Sequence, residues 1–231
     1  AVEGGRPLLN RGQSAIEQTV NESLVHSLPL LRRDFMQLAS LAAGFTGDPD
    51  FPNPQGQMYW TNNVLVDGTT HFSKWRSAAR SFYSGYGLEP IKEVQVFTNL
   101  FAAEYGEGLA SVTTVITRSG TNEWHGTALF HLQDDAFDAT PPLALTKPRS
   151  SAEQYGFSLG GPLVKDRTHV WGSYEARRSR DHNITLSPVA ANAFVPDDQD
   201  EHLPFVKLTH QMAPRLLTVR YNAQIFRWHD E

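Results

Sequence analysis

The chain of 231 residues contains no cysteine. It therefore has no disulfide framework, no thiolate metal site and no cysteine nucleophile. It also lacks an uninterrupted apolar run of the roughly 18 residues that a membrane-spanning helix requires. A transmembrane β-strand needs only about 9–11 alternating residues, so membrane-spanning strands remain compatible with this sequence.

Strong positive charge is missing too. The formal net charge is −5, and no basic cluster is longer than the pairs Arg32-Arg33 and Arg177-Arg178, which argues against a nucleic-acid partner. The start, Ala1-Val2-Glu3, has neither the basic nor the apolar segment of a signal peptide, so we expect either a cytosolic chain or a start that has been removed. With 40% hydrophobic and 19% charged residues, the composition is that of a folded chain.

A change of character between residues 104 and 126 organises the chain. Val112 to Thr117 is an uninterrupted β-branched run that predicts a buried strand. The polar stretch Arg118 to Asn122 interrupts it, and a strand of alternating apolar and polar residues begins at Trp124. We therefore predict a domain boundary near residue 122.

The first part predicts a mixed α+β domain. Phe35, Leu38, Leu41 and Ala42 recur at helical spacing, and Gly44 follows where a helix C-cap belongs. The other expected elements are strands at Met58–Val66, Ile91–Thr98 and Val112–Thr117, a short strand or turn at Val20–Ser27, and a proline-rich loop at 46–57.

The second part predicts long antiparallel strands with strict alternation. Aromatic residues near the strand ends and loops of unequal length are typical of outer-membrane barrels, while a soluble sheet with one wet face remains the alternative. The roughly five predicted strands are fewer than the eight of the smallest closed membrane barrel, so we expect a fragment that ends just after a strand. The strands are expected around 124–132, 155–159, 169–177, 206–210 and 217–225.

Seven short sequence blocks follow one another in a characteristic order. They are Leu28-Pro29-Leu30 with Phe35 and Gln37-Leu38, Asn62-Asn63 with Val66-Asp67-Gly68, Ile91 to Val96, Ala103 to Gly106, Ser119 to Asn122 with His125-Gly126, Tyr155 to Pro162, and Ser173-Tyr174-Glu175. In this order the blocks resemble TonB-dependent outer-membrane receptors of the Oar-like group, which carries a carboxypeptidase-regulatory-like N-terminal domain. Two departures are the residues at 31–34, where the group has an NGRN motif, and Leu109-Ala110, where it has paired glycines.

The resemblance implies an α+β plug domain over residues 1–122, followed over residues 123–231 by antiparallel β-strands of an incomplete outer-membrane β-barrel that has about 22 strands when whole. It implies a receptor that imports a scarce nutrient across the outer membrane of a Gram-negative-type bacterium. Its partners would be outer-membrane lipid, a small-molecule, saccharide or peptide substrate, and the TonB complex, which binds through a segment upstream of this chain. The alternatives are a structural or adhesion-type outer-membrane protein of the same fold that transports nothing, and a soluble β-rich enzyme.

Two sets of residues are predicted to matter for this function. Aromatic residues in the loop-rich region of the plug are candidates for substrate binding, or alternatively for packing between plug and barrel: Tyr59, Trp60, Phe72, Trp75, Tyr83 and Tyr86. Others are expected to shape the backbone, with a turn at Asp67-Gly68, positive φ at Gly106, Gly108 and Gly120, and a hinge that ends at Asn122.

No motif supports catalysis, a metal site or a cofactor. Ser158 lies in a G-x-S-x-G sequence, but the helix that a nucleophile elbow requires does not follow it. The histidines have no metal-binding spacing. We interpret the acidic runs at 134–138 and 197–201 as solvated loop charges, and we expect Arg32, Arg33 and Arg118 to pair with barrel carboxylates.

Overall fold

A computed structural model describes residues 16–27, 35–47, 53–70, 86–98, 108–137, 139, 147, 150–185 and 193–229. The chain divides into two compact units. The first comprises Ala1–Phe82 and Ile91–Thr117. The second comprises Tyr83–Pro90 and Arg118–Glu231, so a short segment from the first half of the sequence belongs to the second unit.

The first unit is built on a five-stranded sheet whose strand order is β1-β6-β7-β4-β5. All its neighbouring strands are antiparallel except β4 and β7, which run parallel. The strands are β1 (Ile16–Val20), β4 (Asn62–Val66), β5 (Thr69–Thr70), β6 (Ile91–Thr98) and β7 (Ser111–Thr117). The other elements are α1 (Glu22–Ser27), α2 (Phe35–Ser40), the two-residue strands β2 (Phe45–Thr46) and β3 (Asn53–Pro54), and a 3-10 turn at Tyr59–Thr61.

The core of this unit follows from its β-branched strands. Val94 of β6 lies opposite Val115 of β7, and Val96 is buried on the same face. Val112 of β7 is buried on the other face, opposite Phe97. Burying an aliphatic side chain of this size stabilises a fold by about 1.5–3 kcal/mol relative to leaving it exposed. The sheet is therefore held together by the stretch that the sequence marked as a buried strand.

The structure confirms the strand Ile91–Thr98 and the helix that begins at Phe35, and it corrects three predictions. Residues 22–27 form helix α1, because Asn21 caps it by accepting the Leu24 amide through Oδ1 at 3.1 Å. Strand β4 begins at residue 62 after the 3-10 turn rather than at residue 58. The loop at 46–57 contains a short pairing of β2 with β3.

The second unit is a six-stranded antiparallel sheet in the order β8-β9-β10-β11-β12, with β13 also paired to β11. β12 pairs with residues 205–212 of β11, and β13 pairs with residues 198–202 of the same strand. The two strands therefore lie one after the other along the same edge of β11. The strands are β8 (His125–Asp134), β9 (Ser150–Val164), β10 (Thr168–Thr185), β11 (Ala193–Met212), β12 (Arg215–Asn222) and β13 (Ile225–His229).

The two faces of this sheet differ in chemistry. We call the face that carries the buried side chains Trp171, Ser173 and Glu175 the inner face. The opposite, outer face presents large apolar side chains to the surroundings, which suits contact with lipid. These exposed side chains are Phe130, Leu132, Tyr155, Phe157, Leu159, Val206, Leu217, Val219 and Tyr221.

Paired glycines let aromatic rings pack directly on this sheet. A Cβ atom at Gly160 would lie 2.1 Å from Cε3 of Trp171, and one at Gly161 would lie 2.3 Å from Cδ2 of Trp124. Both distances are far below van der Waals contact, so only glycine fits. The Ser-Leu-Gly-Gly-Pro sequence therefore holds one ring on each face of β9.

Few helices, mostly antiparallel strands and sheets that do not close within the described residues confirm the predicted fold class. The described residues of the second unit form six strands rather than about five. In the described part of the chain, none of the helices is long and apolar enough to cross a membrane, a finding that concerns helices alone.

Candidate functional site

The candidate site is the place where residues 86–90 lie on the inner face of the second unit. This segment, Tyr86-Gly87-Leu88-Glu89-Pro90, is buried throughout. We call it the docking segment. It precedes strand β6 of the first unit directly, yet it belongs to the second unit.

Two hydrogen bonds centre on the carboxylate of Glu175, which is 1% exposed. Its Oε1 accepts the backbone amide of Glu89 at 2.9 Å, and its Oε2 accepts Nε2 of Gln154 at 2.9 Å. A buried charged acceptor makes stronger hydrogen bonds than a neutral one. Glu175 therefore joins the docking segment to strands β9 and β10.

The Glu89 side chain makes a second set of contacts with the sheet. Its Oε2 accepts the hydroxyl of Thr127 at 2.5 Å and that of Ser158 at 3.4 Å, and these two hydroxyls lie 2.6 Å apart. Glu89 itself is 3% exposed. Its backbone thus binds one strand while its carboxylate binds two others.

Gly87 lets the docking segment approach this carboxylate closely. A Cβ atom at that position would lie 1.7 Å from Oε1 and 2.1 Å from Cδ of Glu175. The Arg118 backbone amide also donates to the Pro90 carbonyl at 2.7 Å. Close approach at Gly87 and a backbone hydrogen bond at Pro90 therefore hold the middle and the C-terminal end of the segment.

Tyr86 anchors the other end of the docking segment. Its hydroxyl donates to Oδ1 of Asn222 at 2.8 Å, its ring lies 6.0 Å from that of Phe205, and the guanidinium of Arg220 lies 5.6 Å from its centroid. Tyr86 is buried, so the structure places this predicted substrate-binding residue in packing contacts.

The other predicted aromatic residues are not brought to this site by described contacts. Tyr59 is half-buried in the 3-10 turn of the first unit, and Trp60 shares that turn, but its side chain lies outside the described part of the structure. Phe72, Trp75 and Tyr83 fall outside the described residues, as do Gly106, Arg32 and Arg33.

The structure contains the predicted turn at Asp67-Gly68, and the Asp67 side chain also binds strand β7. Both residues have positive φ, 47° and 79°. The Asp67 carboxylate accepts the Thr117 amide at 2.9 Å and the Thr117 hydroxyl at 2.6 Å. Within the first unit, this turn therefore fastens the last residue of β7.

The positive φ predicted for Gly120 was wrong, because this residue is absent from the residues of positive φ within the described part of the chain. The φ angle of Gly108 depends on residue 107, which lies outside the described residues. Gly120 is instead required by close approach, because a Cβ atom there would lie 2.3 Å from the Val170 carbonyl oxygen. The hinge thus passes directly over the backbone of β10.

Asn122, the predicted end of the hinge, is hydrogen-bonded to the turn between β9 and β10. Its Nδ2 donates to Oδ1 of Asp166 at 2.5 Å, and its Oδ1 accepts the Asp166 amide at 2.8 Å. His169 Nε2 lies 2.8 Å from the same Oδ1. Asp166 has a φ of 62°, so these hydrogen bonds stabilise a strained turn.

Two further expectations concern charged residues. The acidic run at 197–201 was predicted in a loop, but it lies inside strand β11. The reason is cross-strand pairing, since Asp198 and Asp200 lie opposite Arg180 and Arg178. The guanidinium of Arg118 lies 5.2 Å from the ring centroid of Trp171, a cation–π contact.

Asp200 lies on the outer face of the sheet, opposite Arg178. Arg178 Nε donates to Oδ1 at 3.0 Å, and His229 Nε2 lies 3.1 Å from Oδ2. This carboxylate therefore links β10, β11 and β13. Among the described residues, no group of three or more His, Asp or Glu side chains is placed to hold a metal ion.

Comparison with known proteins identifies relatives. Residues 116–201 match the family model described as an outer membrane beta barrel domain. The TonB-dependent transporter Oar of Myxococcus xanthus is 24% identical over 215 residues, which are 86% of this chain and 20% of Oar. The probable TonB-dependent siderophore receptor PirA of Acinetobacter baumannii is 30% identical over 135 residues, 54% of this chain and 17% of PirA.

A similar fold is found among solved structures. The crystal structure of the outer membrane transporter YddB from Escherichia coli superimposes with a TM-score of 0.68 at 13% identity, covering 93% of this chain and 34% of that one. The chain spans about a fifth of the length of the curated relatives Oar and PirA.

Proposed function

We propose that this chain, a homologue of TonB-dependent outer-membrane transporters that lies in the outer membrane of a Gram-negative-type bacterium, supplies the plug domain and the first barrel strands of such a transporter. The proposal assigns residues 1–122 to the plug and residues 123–231 to the barrel wall. The protein would import a scarce nutrient with energy supplied through TonB.

The observation that carries this proposal is the docking segment. Residues 86–90 come from the part of the sequence assigned to the plug, yet they lie buried on the inner face of the sheet assigned to the barrel. Contacts of this kind suit a plug that must be held firmly at rest. Because they are hydrogen bonds and packed rings rather than covalent links, they can also be broken when the transporter opens.

The non-enzymatic part of the proposal has separate support. Oar and PirA are named as a transporter and a receptor. Ser158, the residue of the G-x-S-x-G sequence, lies within strand β9, buried, with its hydroxyl 2.6 Å from that of Thr127 and 3.4 Å from the Glu89 carboxylate. A serine in a continuous strand is not the sharply turned nucleophile that the motif requires.

Uptake tests the transport function without knowledge of the substrate. We expect the source bacterium to deplete at least one compound from its medium, and strains that lack either the whole receptor gene or TonB to lose that depletion equally. The measurement is mass spectrometry of spent medium from the three strains. Reintroducing the receptor gene should restore depletion.

Two outcomes would contradict the proposal. Depletion that persists without TonB would remove the energy source that we assign. Unchanged depletion without the receptor, together with altered cell adhesion or envelope integrity, would favour the structural or adhesion-type alternative.

A further inference from the structure

The chain passes from the first unit to the second between Thr117 and Arg118. Thr117 is held within the first unit, where its amide and its hydroxyl both donate to the Asp67 carboxylate. We call the next five residues, 118–122, the linker. Its sequence Arg-Ser-Gly-Thr-Asn is polar and contains glycine, a composition typical of a flexible connection. Its contacts within the second unit indicate a rigid one.

The first part of the linker lies directly on strands β9 and β10. The guanidinium of Arg118 lies 5.2 Å from the centroid of the Trp171 ring. Gly120 passes so close to the paired residues Val170 and Gly161 that a Cβ atom would lie 2.3 Å and 2.7 Å from their carbonyl oxygens. Contact with two neighbouring strands therefore fixes the path of the linker backbone.

The last residue of the linker is held by the short turn between β9 and β10. The Asn122 side chain donates to the Asp166 carboxylate and accepts the Asp166 backbone amide. Its Oδ1 also lies 2.8 Å from Nε2 of His169, and because an amide oxygen can only accept, this nitrogen carries the proton. Turning the amide over would place its NH₂ group against two donors. Only one orientation of this side chain therefore satisfies all three contacts.

We infer that the linker is a fixed anchor, which stays on the sheet during transport, so that the moving part of the proposed plug ends at Thr117. The inference rests on the proposed function. Releasing the linker would break the contacts of Arg118, Gly120 and Asn122 together. Bending the chain between Thr117 and Arg118 leaves the side-chain contacts of both residues intact, because those of Thr117 lie in the first unit and those of Arg118 in the second.

The test is a covalent bond that prevents release of the linker. Asn122→Cys combined with Asp166→Cys replaces two side chains in direct contact, so a disulfide can take the place of their hydrogen bonds. Cells that express the full-length double variant are oxidised, the oxidised fraction is quantified, and depletion of the imported compound is measured by mass spectrometry. We expect TonB-dependent depletion to continue at the wild-type rate after complete oxidation.

The two single variants are the matched controls, because each loses the hydrogen bonds without gaining the disulfide. Depletion that stops when the double variant is oxidised, returns with a reductant and is unaffected in both single variants would overturn the inference. Wild-type cells without TonB-dependent depletion would instead refute the proposed function, and the inference with it. The two failures are therefore distinguishable.

Hydrogen exchange of the Asp166 amide provides a second measurement, which is made on the full-length wild-type receptor and decides the matter if the double variant does not fold. We expect this amide to be protected, and Asn122→Ala to speed its exchange about fivefold through loss of one acceptor. Thr121→Ala is the control, because the Thr121 hydroxyl contacts Glu123 and His125 instead. A wild-type Asp166 amide that exchanges as fast as in an unstructured peptide would overturn the inference.

Discussion

Replacing Glu175 with alanine is expected to loosen the docking segment and, under the proposed plug function, to let large solutes pass. The substitution removes the acceptor of the Glu89 amide and of the Gln154 side chain. Each buried donor left without an acceptor costs about 1–3 kcal/mol, so the docked state should lose about 2–6 kcal/mol. The measurements are faster amide hydrogen exchange in residues 86–90 of the full-length protein and increased vancomycin sensitivity of cells that express it.

Two variants control this prediction. Glu175→Gln keeps one acceptor oxygen, so it should preserve more of the protection than the alanine variant. Glu153→Ala removes an exposed carboxylate from the adjacent strand and should leave both measurements unchanged. Protection of residues 86–90 that survives Glu175→Ala would show that this carboxylate does not hold the segment.

Gly160→Ala is the second substitution for which we expect a large effect. The new methyl group would lie 2.1 Å from Cε3 and 2.7 Å from Cζ3 of Trp171, a ring that is fully buried. Forcing such an overlap costs about 1–3 kcal/mol, because either the ring or the strand must move. The measurements are the urea midpoint of the full-length protein and the fraction that runs as folded barrel in unheated gel samples.

Gly172→Ala is the matched control on the neighbouring strand. A Cβ atom there has its nearest neighbour, the Phe205 carbonyl oxygen, at 3.9 Å, which is an ordinary contact. We expect this variant to fold like the wild type. Equal destabilisation by both substitutions would mean that glycine matters in these strands for backbone freedom rather than for ring packing.

Periodicity predicted the strands that have one clearly buried face. Strand β6 was predicted with the bounds that the structure shows, since its valines alternate with polar residues. Strands β10 and β11 are 18 and 20 residues long, much longer than predicted. The parts of these strands that lie far from the short turns carry polar residues at successive positions, so alternation of apolar and polar residues does not predict a strand there. The opposite charges of facing residues on β10 and β11 indicate that these parts pair.

Sequence periodicity could not predict the contacts of the candidate site. Glu89 and Glu175 are 86 residues apart, and neither lies in a motif that indicates burial. The aromatic residues of the same region are numerous, which suggested a binding role, but Tyr86 is packed against the sheet and Tyr59 is half-buried in a turn of the first unit. The resemblance to TonB-dependent receptors is confirmed, because it rested on many blocks in order rather than on any single contact.

The most direct test of the account is a reversible bond between the docking segment and the sheet. Because the chain has no cysteine, Gly87→Cys combined with Glu175→Cys adds the only pair within it. A Cβ atom at residue 87 lies 2.1 Å from Cδ of Glu175, so a sulfur on each residue should reach bonding distance. We predict that oxidation of the full-length double variant stops TonB-dependent depletion of the imported compound and that a reductant restores it, whereas either single variant is insensitive to both. Uninterrupted uptake by the fully oxidised double variant would contradict the proposal that the contacts of this segment with the sheet break when the transporter opens.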